Sequence, residues 1–250
     1  MHQHSYGWKP SLPDFRDHRF KVTARIALPP SVDLRHGCPP VYDQGQLGSC
    51  TANAAAAAFE FDLKRQGLTD FEPSRLFIYY NERVLDGDVG QDAGSELRTA
   101  AKTLNKSGVC DEKSWPYDIA KFKTKPKASC YTAAKKHVST SYQALDNTNV
   151  TELKTCLASG SPFILGFTVY ESFESDKVAT TGVVPMPLKK EKVLGGHAVM
   201  CVGYQESKKR FIVRNSWGVN WGVQGYCYFP YGYLTNTGLA TDFWQITSVS

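Results

Sequence analysis

Tyr42-Asp43-Gln44-Gly45-Gln46-Leu47-Gly48-Ser49-Cys50, with the alanine-rich run from Thr51 to Phe61 behind it, is the stretch on which the reading of the 250-residue chain turns. Turn residues Gly45, Gly48 and Ser49 stand directly before strong helix formers, Ala54 to Ala58 with Phe59 and Glu60, so the pattern predicts a helix beginning near Cys50. A thiol there meets unpaired backbone N–H groups and the positive end of the helix dipole. Both favour the thiolate, whose pKa falls from about 8.5 toward about 3.5–7.5 in such settings. The glycines leave room for a substrate backbone beside the sulfur. Gln44, six positions earlier, is placed to return its side-chain N–H to the same spot, and with the Cys50 backbone N–H it makes a two-donor oxyanion hole. A lone cysteine serves equally well as a small buried hydrophobe, so the far end of the chain carries the decision.

There, Gly195-Gly196-His197-Ala198-Val199-Met200 brings a histidine into a strand, and Arg214-Asn215-Ser216-Trp217-Gly218 takes an asparagine out of one. Cysteine, histidine and asparagine in that order supply a nucleophile, a base and an orienting group. Singly, each has a plainer reading: a core histidine, a turn asparagine, core tryptophans and turn glycines. Together with the run Asn-Ser-Trp-Gly…Trp-Gly-x-x-Gly-Tyr from Asn215 to Tyr226, they make residues 29 to 250 resemble the papain-like cysteine peptidases. Leu47 stands where the family usually has a further cysteine before the nucleophile, and Thr51 where it has a tryptophan. The likeness is therefore to the divergent microbial and viral branch, without the disulfide that anchors this turn elsewhere.

The resemblance implies an α+β fold, a helical half packed on an open antiparallel barrel half, with the site in the cleft between them. It implies that Cys50 attacks the peptide carbonyl, His197 carries the proton, Asn215 holds the imidazole, Gln44 and the Cys50 N–H hold the oxyanion, and Trp217 lies over the His–Asn pair. It further implies that Gly94 lines the cleft and, together with Gly166, Ala198 and Asp242, surrounds the pocket for the second residue before the scissile bond. With Gly166 and Ala198 small, that pocket is expected to accept Leu or Phe, and a basic residue if Asp242 reaches its floor. The expected activity is that of a cysteine endopeptidase. Acyl transfer to an amine on the same three residues, and a catalytically silent papain-like binding protein, are the alternatives.

Composition narrows the rest. A net charge of +5 is mild, and the lysines, Lys121 to Lys127, Lys135-Lys136, Lys189-Lys190 and Lys208-Lys209, lie in scattered polar stretches without an aromatic platform, so nucleic acid is not an expected partner. No apolar run approaches about 18 residues and the first twenty hold no signal-peptide core, which favours a cytoplasmic monomer without membrane contact. Of the six cysteines besides Cys50, Cys156 and Cys201 fall in apolar patterns and read as core thiols; Cys38, Cys110 and Cys130 are the candidates for a bridge. None shows zinc spacing. Asp86-Gly87-Asp88-Val89-Gly90-Gln91-Asp92 faintly resembles a calcium loop but lacks its closing glutamate, so neither metal nor cofactor is expected.

Along the chain, residues 1–28 read as an extension, 29–126 as the helical half and 127–250 as the strand-rich half. After the first helix, ended by Gly67, Pro73 is predicted to open a second and Ser95 to cap a third, which Gly108 closes. A helix over Val150–Ala158 and strands over Phe163–Val169, His197–Tyr204, Arg210–Arg214, Gly225–Phe229 and Phe243–Val249 follow. In the extension Tyr6, Trp8, Leu12 and Phe15 alternate with Gly7, Pro10 and Pro13, a pattern for extended chain that needs a groove to bury its rings. The expected groove is the substrate cleft, where the segment restrains activity; a strap on the barrel's outer face is the alternative.

Overall fold

Small residues let the rest of the chain close around one helix. The computed structural model describes residues 4–21 and 27–249, so residues 1–3 and 22–26 of the expected extension lie outside the described residues. After a short strand, β1 (Ser31–Asp33), helix α1 runs Cys50–Arg65, and every residue from Cys50 to Leu63 is buried. A helix covered on all faces needs short side chains wherever backbone packs against it, and Ala52 and Ala54–Ala58 supply them. Thr51 takes its own partner, donating its hydroxyl to Glu82 at 2.8 Å. Gly67, at φ +67°, ends the helix as predicted: its N–H reaches Lys64 O at 3.1 Å and the Leu68 N–H reaches Leu63 O at 3.0 Å.

Two predicted helix starts shift for local reasons. Helix α2 (Arg75–Asp86) begins two residues after Pro73, because Ser74 is the cap and its Oγ accepts the Phe77 N–H at 3.1 Å. Helix α3 (Leu97–Lys106) has Glu96 at the cap. Ser95 is drawn elsewhere, donating its hydroxyl to Asp86 at 2.6 Å. Gly108, at φ +69°, follows the end of α3.

The second half holds α4 (Ala128–Ala134), β2 (Ser139–Ala144), α5 (Val150–Ala158), β3 (Phe163–Tyr170), α6 (Asp176–Thr181), β4 (Val193–Gln205), β5 (Arg210–Arg214), β6 (Tyr226–Pro230), α7 (Tyr231–Leu234) and β7 (Ala240–Val249). Of these, α4, β2, α6 and α7 were not predicted. The strands form one antiparallel sheet in the order β2-β7-β3-β4-β5-β6, with β1 added on β4, and β2 and β6 end the series without meeting, so the sheet stays open. This is the α+β class with an open antiparallel sheet that the resemblance implied. Alternation along the strands splits the apolar residues between two cores. Ile164, Met200, Val202, Ile212 and Trp244 pack with α1, whereas Phe167, Phe173, Phe211, Phe229 and Tyr233 form the core on the other face.

All seven cysteines are free thiols, Cys38, Cys110 and Cys130 among them, and Cys156 and Cys201 are fully buried. Among the described residues no helix is long and apolar enough to cross a membrane.

Candidate active site

Cys50 is the first residue of α1, His197 lies on β4, and Asn215 follows the last residue of β5. The β4–β5 register pairs Met200 with Arg214, which brings Asn215 back beside His197. His197 Nε2 lies 2.8 Å from Asn215 Oδ1. The Ser216 N–H, which can only donate, also points at Asn215 Oδ1 at 2.8 Å, so that atom is an acceptor and His197 Nε2 carries the hydrogen. The imidazole's lone pair is then on Nδ1, which is buried and has no hydrogen-bond partner among the described residues. Trp217 stacks on the imidazole with ring centroids 4.8 Å apart.

The sulfur and the base are both neutral here. Burial, the largest effect, pushes the Cys50 thiol up to about 12, partly opposed by the backbone amides of Ala198 and Gly7 beside the sulfur. Burial likewise pushes His197 down to about 4, partly opposed by its bond to Asn215. The helix N-terminus alone predicts a lowered thiol pKa. Complete burial of the sulfur, enclosed with Gly7 of the N-terminal segment and Ala198 of β4 beside it, outweighs it.

Gln44 is fully buried and tied to the turn after Asn215. Its N–H donates to Ser216 O at 2.9 Å, its Oε1 accepts the Ser216 hydroxyl at 2.7 Å, and the Gly218 N–H donates to Tyr42 O at 3.0 Å. Its Nε2 donates to Leu47 O at 2.9 Å and to Ser5 O at 3.2 Å. A carbonyl of the N-terminal segment thus takes one hydrogen of the side chain expected to hold an oxyanion.

That segment runs through the cleft. The Trp8 N–H donates to Gly196 O and the Lys9 N–H to Ser95 O, each at 3.0 Å, and the Ser95 N–H donates to Gly7 O at 2.7 Å. The fit demands glycines on both sides: a Cβ on Gly7 would sit 1.7 Å from Gly48 O, and one on Gly94 would sit 1.9 Å from Gly7 O. Trp8 fills the pocket expected from Gly166 and Asp242. A Cβ on Gly166 would lie 1.9 Å from the indole, and the indole Nε1–H donates to Asp242 Oδ2 at 3.1 Å. Asp242 Oδ2 also accepts the Ser11 N–H at 2.8 Å, and burial raises the carboxyl's pKa. Ala198, buried beside Gly166 in the β3–β4 register, completes that wall. At the other end His4 stacks on Trp217 with centroids 3.6 Å apart, its Nδ1 3.0 Å from both Glu174 oxygens, and Tyr6 donates its hydroxyl to the same carboxylate.

Three residues around the site had no part in the sequence reading of it. Glu174 anchors the segment but sits among other surface acids in the sequence. Asp92, seen only as part of an acidic loop, accepts the Gly48 N–H at 3.0 Å and the Tyr79 hydroxyl at 2.5 Å. The carboxylates of that loop are turned to separate partners, Asp86 to Ser95 and Thr99, Asp88 to Lys9, and Asp92 to Gly48. Tyr117, after Trp115-Pro116, reaches the underside of the loop that carries Gln44.

Residues 28–246 match the family model described as papain family cysteine protease. Xylellain, a cysteine protease from Xylella fastidiosa, shares the fold at a TM-score of 0.92 and 43% identity, covering 99% of this chain and 97% of that one. A peptidase C1-like protein of Acanthamoeba polyphaga mimivirus is 44% identical over 98% of this chain and 88% of its own length. Cathepsin K of Gallus gallus is 29% identical over 85% of this chain, which spans 62% of that protein. A family match over most of the chain, joined to a near-complete structural match with a cysteine protease, places this chain in the papain family of cysteine proteases, a family of hydrolases.

Proposed function

We propose that the chain is a cysteine endopeptidase working through Cys50, His197 and Asn215, and that residues 4–11 cover its cleft until displaced. The observation that carries this is the oriented imidazole: Nε2–H held by Asn215 at 2.8 Å leaves the Nδ1 lone pair free to take a thiol proton. With the cover displaced, Cys50 Sγ attacks the substrate carbonyl as its proton passes to His197. The developing oxyanion is held by Gln44 Nε2–H and the Cys50 N–H. The proton then goes to the departing amine, leaving a thioester, and water activated by the same imidazole releases the acid and restores the thiol.

Trp8 also supports a specificity. The pocket holds a large side chain whose donor meets Asp242, which favours Trp, Tyr or Arg as the second residue before the scissile bond over the Leu or Phe expected from pocket size alone. The test is covalent labelling of the full chain by a peptidyl epoxide, run beside peptide hydrolysis. Labelling and hydrolysis that both vanish in Cys50→Ala are expected. Hydrolysis that survives in Cys50→Ala overturns the assignment.

A further inference from the structure

The loop from Gln44 to Cys50 carries both proposed oxyanion donors, one at each end, and a single phenol joins those ends from beneath. The Tyr117 hydroxyl donates to Gln44 O at 2.9 Å and lies 2.5 Å from Ser49 Oγ, the residue directly before Cys50. A main-chain oxygen only accepts, so the one Tyr117 proton goes to Gln44 O and Ser49 must donate to the phenol oxygen. Ser49 Oγ in turn accepts from Asn53 Nδ2 at 3.1 Å, and the orientation of that amide is set because Nδ2 also donates to Ser49 O at 2.9 Å. The result is a directed chain, Asn53 to Ser49 to Tyr117 to Gln44, in which each hydroxyl donates once and accepts once, an arrangement whose members polarise one another.

The ring is itself held on the helical half. The Arg75 guanidinium stacks over it at 4.3 Å, Glu112 accepts the Tyr117 N–H at 2.6 Å, and the α2 cap Ser74 donates to Trp115 O at 2.6 Å. Burial, the largest effect, raises the Tyr117 pKa to about 12, so the donor proton stays on throughout the working range.

We propose that Tyr117 is a positioning residue for the oxyanion site, its hydroxyl setting the spacing between the Gln44 side-chain donor and the Cys50 backbone donor. This rests on the peptidase reading. Tyr117 touches no reacting atom, and its effect runs through Gln44 and Ser49. A loop freed by a fraction of an ångström misplaces donors that must meet a developing charge, a defect of about ten- to a hundredfold in rate.

Tyr117→Phe in the full chain keeps the ring and removes one hydroxyl. Each rate is read as a ratio to the wild type, so that closure of the cover cancels. The expected result is a kcat for peptide hydrolysis lower by about tenfold or more, with KM and the rate of Cys50 alkylation by iodoacetamide within about twofold, since alkylation needs the thiolate but no oxyanion hole. Amide hydrogen exchange over residues 44–50 is expected to rise. Ser49→Ala breaks the same chain at its other end and should show the same split, with the double variant no worse than either single one. If Tyr117→Phe fails to fold, Ser49→Ala carries the test. Unchanged kcat in a folded variant, or kcat and alkylation falling together, overturns the proposal. A wild-type chain that is alkylated at Cys50 yet hydrolyses no peptide with the cover displaced overturns the peptidase reading and this proposal with it.

Discussion

Replacing Trp8 by Ala in the full chain should open the cleft without touching any residue of the catalytic machinery. Trp8 is only 8% exposed, and its neighbours Gly166 and Gly196 leave no slack around the indole. A buried indole removes about 150–250 Å² from water, about 4–6 kcal/mol at about 25 cal/mol per Å². Because Ala keeps the Cβ, the general range for Trp→Ala in a core, about 3–5 kcal/mol, is the closer figure. At about 1.4 kcal/mol per tenfold, the ratio of closed to open chains falls by about 140- to 4,000-fold. His4, Tyr6 and the backbone bonds of Gly7 and Lys9 remain, so the segment is loosened rather than lost. The assay is the second-order rate of Cys50 labelling by a peptidyl epoxide, which rises with the open fraction until open chains dominate. Leu12→Ala, at a site 80% exposed in the same segment, is the control and should leave the rate unchanged. A Trp8→Ala chain that folds normally and labels within twofold of wild type would show that burial of that ring does not limit access to the sulfur.

Asn215→Ala should fold and bind substrate but lower kcat, by less than Cys50→Ala does, because the imidazole loses its orienting acceptor while thiol and oxyanion donors remain; steady-state kinetics beside a melting curve check this, and wild-type turnover would remove Asn215 from the triad. Asp242→Ala should reduce the preference for Arg over Leu two residues before the scissile bond by about 10- to 100-fold, the worth of a partly buried charge-assisted bond, measured with a substrate library varied at that position. For Glu174, burial raises the carboxyl pKa, but the bonds from His4 and Tyr6 and the His4 charge more than offset it, so the net shift is downward in the closed chain. A depressed acid contributes its stabilisation above its free pKa and loses it as pH falls through the closed-state value, so the cover should loosen below about pH 4.3. Glu174→Gln should label faster than wild type at neutral pH and lose this acid-dependent acceleration; an identical pH profile in both chains would show that the carboxylate is not the latch.

Whatever rests on neighbours along the chain is legible in the order of its residues. Glycines and serine before an alanine run start α1 at Cys50, and a left-handed Gly67 ends it, because turn and helix preferences are local energies of a few residues. The long apolar strands were legible for the same reason, being buried whatever they pair with. Short or polar elements were not. Helix α4 is seven residues long, and β2, Ser-Thr-Ser-Tyr-Gln-Ala, is a strand only because β7 offers it a ladder. Ser95 has the chemistry of a helix cap, but Asp86 and the backbone of Gly7 and Lys9 compete for it. The family motifs named Cys50, His197, Asn215 and Gln44. Only the fold, which sets Asn215 Oδ1 between the Ser216 N–H and the imidazole, decides that His197 Nε2 carries the hydrogen, and only packing across some seventy residues of chain brings Tyr117 under Gln44. The aromatic extension announced its need for a groove, yet which groove depends on where two distant glycines, Gly48 and Gly94, leave space for Gly7. The thiol shows the difference most directly. Its local setting at a helix start favours the anion, but desolvation depends on everything that surrounds the sulfur, Gly7 and Ala198 from distant parts of the chain among it, and burial reverses the balance.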